Sequence, residues 1–143
     1  MTRPGTFSNG VAKWTAKSSQ QVKEINREVV FRLYGSVIED TPVLEGRLRG
    51  NWFPTLGQPS EGIDDDFKGG EDAATAHSVD RVGEFLAEFR SEKDFVVFLT
   101  NNLPYANRIE YEGHSSVKAP AGMVRKNVNR ITEILDKARA KLR

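Results

Sequence analysis

Two apolar stripes at helical spacing, one near each end of the chain, limit most strongly what this sequence can fold into. Both stripes advance in steps of three or four residues, which places their side chains on one face of an α-helix. The first stripe predicts a long helix over residues 14–40, which ends at Thr41-Pro42 because the residue before a proline is pushed out of the α region. The stripes consist of Val22, Ile25, Val29, Leu33 and Val37, and of Val124, Val128, Ile131, Leu135, Ala138 and Leu142.

The second stripe predicts a long C-terminal helix with Pro120 in its first turn, where proline is tolerated. We expect this stripe to pack on the protein's own sheet. A coiled-coil seam is the alternative, although about three heptads is the lower limit for that interpretation.

The region between the stripes reads as short strands, a loop and two further helices. Glycine-punctuated residues 46–58 and the apolar run 94–100 predict strands, and the Gly- and Asp-rich residues 59–72 predict a surface loop. Helical spacing returns over residues 72–90, and residues 105–112 follow a proline as a short helix. The sequence therefore predicts an α+β fold in which long N-terminal and C-terminal helices pack on a small, mainly antiparallel sheet, with a middle helix and a short helix.

The length and composition favour one domain. The chain has 143 residues, and we expect residues 1–13 to form a flexible N-terminal arm and residues 14–143 a single domain. No cysteine is present, which excludes disulfides, thiolate zinc sites and a cysteine nucleophile. Only two histidines occur, so an imidazole-rich metal site is excluded too. The mean hydropathy is −0.53, and no apolar run approaches the roughly 20 residues of a membrane span.

The charge is distributed unevenly along the chain. Residues 61–94 carry eleven acidic and four basic side chains, whereas residues 95–143 carry nine basic and four acidic ones. Residues 1–60 are mildly basic, with eight bases and five acids. Such a basic–acidic–basic order is typical of complementary surfaces on neighbouring subunits, and equally of a solvated patchwork.

Residue types that could support catalysis or metal binding are few. Asp64, Asp65 and Asp66 lack the glycine turn and closing glutamate of a calcium loop, so a solvated acidic loop is the simpler interpretation. His77, Ser78 and Asp80 contain triad residue types but would point around one helix instead of converging. We therefore predict no enzyme activity, catalytic residue, metal or cofactor.

Two arginines offer a possible anion-binding surface. On a strand, Arg47 and Arg49 would leave the same face, and such a pair suits a carboxylate or a phosphate. Residues 120–143 add seven basic and two acidic side chains. A nucleic-acid-binding module that uses this basic C-terminal helix with Arg47 and Arg49 is therefore one candidate function.

Three blocks of sequence resemble a known family. Residues 41–52 (TPVLEGRLRGNW), 100–111 (TNNLPYANRIEY) and 119–125 (APAGMVR) are similar, in this order, to the blocks of the gene-product-ten-like tail-component family of long-tailed bacteriophages. The likeness spans roughly residues 14–142. This sequence departs from the family's pattern at Leu44-Glu45, and its residues 59–90 have no sharp counterpart in the family.

The resemblance implies a structural virion protein that completes the tail at the neck and joins it to the head. It implies a homo-oligomeric ring, expected to have six copies, which contacts connector or adaptor proteins and tail terminator or tail tube proteins. Genomic DNA would pass through without sequence-specific binding. The location would be the virion neck or tail, and the host cytoplasm during assembly.

The site residues follow from the blocks and from the charge pattern. Trp52, Tyr105 and Tyr111 are large enough to anchor the core, so we expect a role in folding before a role in binding. The acidic loop is the candidate to face the channel, because a lumen that attracted phosphates would hinder the passage of DNA. Docking of this loop on a basic surface of an adjacent protein, or plain exposure to solvent, is the alternative. The motif or interface candidates are Arg47, Arg49, Trp52, Asn101, Asn102, Tyr105 and Tyr111, and the lumen candidates are Asp64, Asp65 and Asp66.

Overall fold

A computed structural model describes residues 4–43, 46–64, 69–89, 96–111 and 122–142. Within these residues it contains five α-helices, one short 3-10 helix and two strands, so the α+β class is confirmed. The elements are helix α1 (Pro4–Asp40), the 3-10 helix (Arg49–Asn51), strand β1 (Phe53–Leu56), helix α2 (Gly70–Glu88), strand β2 (Val97–Thr100), and helices α3 (Ala106–Tyr111), α4 (Val124–Val128) and α5 (Ile131–Lys141).

Helix α1 is longer than its apolar stripe. It begins at Pro4, so the helix start predicted at residue 14 is wrong. The expected arm is helical from Pro4 onward, and residues 1–3 lie outside the described residues. Proline suits a first helical position because its missing N–H would have no partner there. Val11 and Val22 are about half exposed, and the fully buried face starts only at Val30. The sequence missed this first part because it contributes little to the core.

The two strands pair antiparallel over four residues each, with Phe53 opposite Thr100 and Leu56 opposite Val97. The prediction of a strand over residues 46–58 is therefore wrong for its first half, because residues 46–51 form a turn and the 3-10 helix. Val97 and Leu99 pack against the core. The sheet lies beside α2, whereas α1 packs against α2 and α5, so most of the core forms between helices.

Helix α2 occupies almost the range predicted for the middle helix. It buries a line of side chains four residues apart, which is one face of a helix. The line consists of Ala74, Ser78, Val82 and Leu86. Together with Tyr34 and Ile38 of α1, this line forms much of the core.

The C-terminal helix expected as one piece is two helices. Asn129 and Arg130 form a turn between α4 and α5, and on both sides of this turn the inward face lies beside the predicted stripe instead of along it. The buried line is Met123, Asn127, Ile134 and Ala138. Of the predicted stripe only Ala138 is fully buried, Leu135 is half-buried, and Val128 and Ile131 are 49% and 39% exposed. The prediction that the whole stripe packs inward is therefore wrong, and Pro120 lies outside the described residues.

Candidate functional site

The first sequence block closes the end of α1. The Thr41 hydroxyl donates to the carbonyl of Val37 at 2.6 Å, and Trp52 Nε1 donates to the same hydroxyl at 2.9 Å. Thr41 and Trp52 are both buried. Proline at position 42 ends the helix, and Trp52 then covers its last turn. The indole is thus a core anchor with a satisfied N–H.

Arg49 caps the same helix end. Its Nε donates to the carbonyl of Thr41 at 2.9 Å and its Nη2 to the carbonyl of Glu39 at 2.8 Å. Its Nη1 donates to the Thr75 hydroxyl of α2 at 3.1 Å. Basic side chains favour helix C-termini, where carbonyls have no partner in the helix. Arg49 is 9% exposed, so the two-arginine face predicted for Arg47 and Arg49 does not form.

The paired asparagines of the second block hold two other segments. Asn101 Nδ2 donates to the carbonyl of Leu48 at 2.8 Å, which joins the second block to the first. Asn102 Nδ2 donates to the carbonyls of Ser60 and Gly62 at 2.8 and 3.0 Å. An amide side chain can serve several backbone groups at once. Asn101 therefore ties the end of strand β2 to the residue before the 3-10 helix, and Asn102 ties it to the segment that follows β1.

Glu110 joins the second block to the third. Its carboxylate accepts the backbone N–H groups of Met123, Val124 and Arg125 at 2.7–2.8 Å, and Arg125 Nε at 3.1 Å. Burial raises the pKa of Glu110, but these donors outweigh it and hold the pKa below the ordinary value. Gly122 precedes them with φ +78°, and a Cβ there would lie 2.8 Å from the carboxylate oxygens. Only glycine fits this approach.

The block residues thus form one connected set. We call Thr41, Arg49, Trp52, Asn101 and Glu110 the motif framework, because each belongs to a recognisable block and bonds within the molecule. Sequence reasoning did not identify Glu110 as a helix cap. A sequence signal exists in Ala121-Gly122, since a glycine before a helical run permits a positive φ.

The remaining candidates differ in position. Tyr105 is half-buried against the core and Arg47 is half-buried in the turn before the 3-10 helix. Tyr111 is 65% exposed, so its expected core role is wrong. The guanidinium of Arg125 lies 5.0 Å from the centre of the Tyr111 ring, within the range of a cation–π contact.

A second polar cluster surrounds Asp64. Its carboxylate lies 3.0 Å from His77 Nε2 and 3.4 Å from Arg81 Nη2, and its backbone exchanges two hydrogen bonds with the Asn51 amide. Desolvation lowers the pKa of Arg81, and the nearby Asp64 and Glu84 oppose that shift. Asp64 is therefore held against α2 instead of standing free at a loop tip. Asp65 and Asp66 lie outside the described residues.

Among the described residues, this cluster lacks the free serine hydroxyl that a catalytic triad needs. Ser78, the neighbour of His77 in sequence, is buried, and its hydroxyl donates to the carbonyl of Arg49 at 2.6 Å. Asp80 lies on the opposite, exposed side of α2. Among the described residues no group of three or more His, Asp or Glu side chains could hold a metal ion. The arrangement explains loop anchoring and supports no reaction.

Comparison with known proteins adds no relative. No protein-family model, curated protein or solved structure matches this chain. Over the residues that the structure describes, no helix has both the length and the apolar character needed to cross a membrane. The family resemblance of the three blocks therefore remains a prediction. The structure describes how the residues of these blocks contact one another.

Proposed function

We propose that this chain is a structural virion protein of a tailed bacteriophage, which forms a ring at the neck and joins the completed tail to the head. One observation carries the proposal: the three blocks that resemble the tail-component family meet in space through direct hydrogen bonds. Asn101 reaches Leu48 across 53 residues of sequence, and Glu110 reaches residues 123–125. Blocks that jointly build one framework are stronger support than three separate matches.

The proposed partners are those that such a ring requires. The chain contacts further copies of itself, with six copies expected, and binds connector or adaptor proteins on one side and tail terminator or tail tube proteins on the other. Genomic DNA passes through the ring without sequence-specific binding. The protein works in the virion neck, after assembly in the host cytoplasm. A ring of this kind needs heterologous contacts, in which two different faces of each subunit meet.

Head–tail joining tests the proposal directly. Inactivation of the gene for this chain should leave filled heads and separate tails in the lysate, which electron microscopy distinguishes from joined particles. Purified chain added to that lysate should restore joined, infectious particles. A variant that fails to fold serves as the negative control. Joined particles formed in normal numbers without the chain would refute the proposal.

The nucleic-acid-binding alternative predicts a different result. It requires free basic side chains, yet Arg49 is buried and five bases of α4, α5 and their link pair with acids: Arg125, Lys126, Arg130, Lys137 and Lys141. Duplex binding by this alternative should weaken with salt, with a log–log slope of about −0.9 per phosphate contacted. Fluorescence anisotropy with a short labelled duplex measures that slope. Tight, strongly salt-dependent binding would favour the alternative over the ring.

A further inference from the structure

The first part of α1 contributes no described residue to the core. We call residues 4–22 the N-terminal extension, and this helical stretch is about 28 Å long. Every side chain that the structure describes in it is exposed, and the first half-buried residue is Lys23. Eight of its residues are Gly, Ser, Thr or Asn, which favour a helix only weakly. Packing against a partner is therefore what would stabilise the extension as a helix.

The extension has an apolar face. Val11 and Val22 lie about three helical turns apart, hence on the same side of α1, and they are 46% and 56% exposed. Helical spacing places positions 7 and 14 on that side too, and the sequence has Phe7 and Trp14 there. Apolar residues at positions i, i+4 and i+7 are the pattern with which a helix docks in a groove.

A groove with an apolar floor runs along α1 between α2 and α5. Two hollows of about 220 and 380 Å³ share Phe31 in their linings, and together they follow α1 from Glu24 to Glu39, a length of about 22 Å. We call them the α1 groove. Phe31 is 43% exposed, and a Cβ added to Gly35 would meet no atom within 4 Å, so the floor has open space. The apolar residues of the walls are Val79, Leu86, Ile134 and Leu142.

The extension of the same copy cannot reach this groove. Helix α1 is uninterrupted from Pro4 to Asp40, so the extension leads away from the residues that form the floor. Charge opposes a bundle of extensions from several copies, because each contains Lys13 and Lys17 and no acidic residue. Helix α2, one wall of the groove, carries five acidic residues and a single arginine, whereas the rims formed by α1 and α5 carry both signs. The groove of another copy therefore offers the extension apolar cover and opposite charge.

We propose that the N-terminal extension of one copy docks in the α1 groove of a neighbouring copy, with its apolar face on Phe31 and Gly35. The large apolar residues of the extension fill the space that Gly35 leaves open, and Phe31 is covered. Because the two surfaces are unlike, the contact propagates from copy to copy and can close a ring. This inference rests on the proposed ring, because it names the contact that holds neighbouring subunits together.

Engineered cysteines test the contact in the full chain, which has no cysteine of its own. Val11→Cys marks the extension and Gly35→Cys marks the groove. The control is Gln58→Cys, at an exposed position that lines neither hollow. A bis-maleimide that spans about 10 Å, two helical turns, should join Val11→Cys to Gly35→Cys at least ~10-fold faster than to Gln58→Cys, because docking raises the effective concentration of the thiols.

Three results of the cross-linking experiment would overturn the inference. Equal rates with the groove and the control variant would show that the extension has no preference for the groove. Fast cross-linking of Val11→Cys with itself would indicate a bundle of extensions. No cross-link to the groove, together with slower trypsin cleavage after Lys13 only when duplex DNA is added, would assign the extension to nucleic acid.

A pair of neighbouring substitutions supplies the matched measurement. Val11 lies on the apolar face and Ala12 does not, and both are exposed in the subunit, so Val11→Asp and Ala12→Asp should unfold at the same urea concentration as wild type. Val11→Asp should raise the dissociation constant for self-association at least ~10-fold in sedimentation, because the contact would bury its carboxylate. Ala12→Asp should change it less than about fivefold. Equal effects of the two variants, or no effect of either, would contradict the docked face.

The outcome is separable from that of head–tail joining. Wild-type chain whose cysteine variants restore joining but show no cross-link between extension and groove would overturn this contact and leave the proposed function standing. Cross-linked rings from a chain that is dispensable for joining would do the reverse.

Discussion

The motif framework differs in almost every physical respect from the acidic face of α2, which is the exposed side that carries Asp80, Glu84 and Glu88. The framework residues are buried or half-buried, and their side chains make directed hydrogen bonds to backbone groups of distant segments. The acidic face is exposed, and its charges have no ion-pair partner in the described residues. Hydrogen bonds in buried sites are costly to leave unmade, so they demand particular residues. The recognisable blocks therefore build the fold, whereas the acidic face contributes no directed bond to it.

The largest effect should come from removing the indole at the centre of the framework. Trp52→Ala deletes a buried side chain and should lower the free energy of unfolding by about 3–5 kcal/mol. Urea denaturation followed by circular dichroism measures the change. Trp52→Phe is the control. Its free energy of unfolding should fall by about 1 kcal/mol because the hydrogen bond to Thr41 is lost, and by a smaller amount because the ring packs less well. Near-wild-type stability of Trp52→Ala would show that the indole is no anchor.

A pair of arginine variants then sharpens the comparison between the two regions. Arg49→Met leaves the carbonyls of Glu39 and Thr41 without their cationic donor and should cost about 2–3 kcal/mol. Arg139→Met changes the same residue type on an exposed surface and should stay within about 0.5 kcal/mol of wild type. Thermal and urea unfolding of both variants provide the measurement. Equal losses would mean that Arg49 does not cap α1.

Glu110 should make stability depend on pH. Its pKa in the folded chain lies below the ordinary value of 4.5, so ionised Glu110 contributes its full stabilisation above about pH 4.5. That contribution is lost as the pH falls through the lower folded pKa. Glu110→Gln should cost about 1–2 kcal/mol at pH 7, and the difference from wild type should shrink as the pH falls below 4.5.

An exposed carboxylate gives the control for this pH effect. Glu133→Gln, on the surface of α5, should follow the wild-type pH curve closely, because Lys137 and Arg130 hold that carboxylate only from solvent-exposed positions. A pH-independent difference between Glu110→Gln and wild type would contradict the capping role of Glu110.

The smallest change in stability should come from the acidic face, with the opposite sign. Asp80→Asn relieves the repulsion with Glu84 and should raise the free energy of unfolding by about 0.2–0.5 kcal/mol. Urea denaturation of the variant and the wild type measures this difference. An unchanged or lower free energy of unfolding would contradict the repulsion between Asp80 and Glu84.

Local patterns are sufficient for the fold class, for the middle helix and for the end of the first helix. The middle helix is predicted over residues 72–90 and occupies Gly70–Glu88. The first helix ends at Asp40, two residues before Pro42. Helical spacing and proline stereochemistry act between near neighbours, so they are legible without the rest of the chain. The start of α1 escapes prediction because residues 4–13 show no apolar stripe at helical spacing.

The roles of the site residues depend on contacts between distant segments. The sequence predicts Arg49 as one of two arginines on the outer face of a strand. In the structure it points inward, because the carbonyls at the end of α1 accept hydrogen bonds from its guanidinium. The last stripe reads as buried, yet the line from Met123 to Ala138 faces inward instead, and Val128 and Ile131 are exposed. Spacing along the sequence defines which side chains share a face. Which face is buried, and which carbonyl lies close enough to accept a hydrogen bond, is decided only when segments tens of residues apart pack together, because burial and hydrogen bonding are properties of neighbours in space.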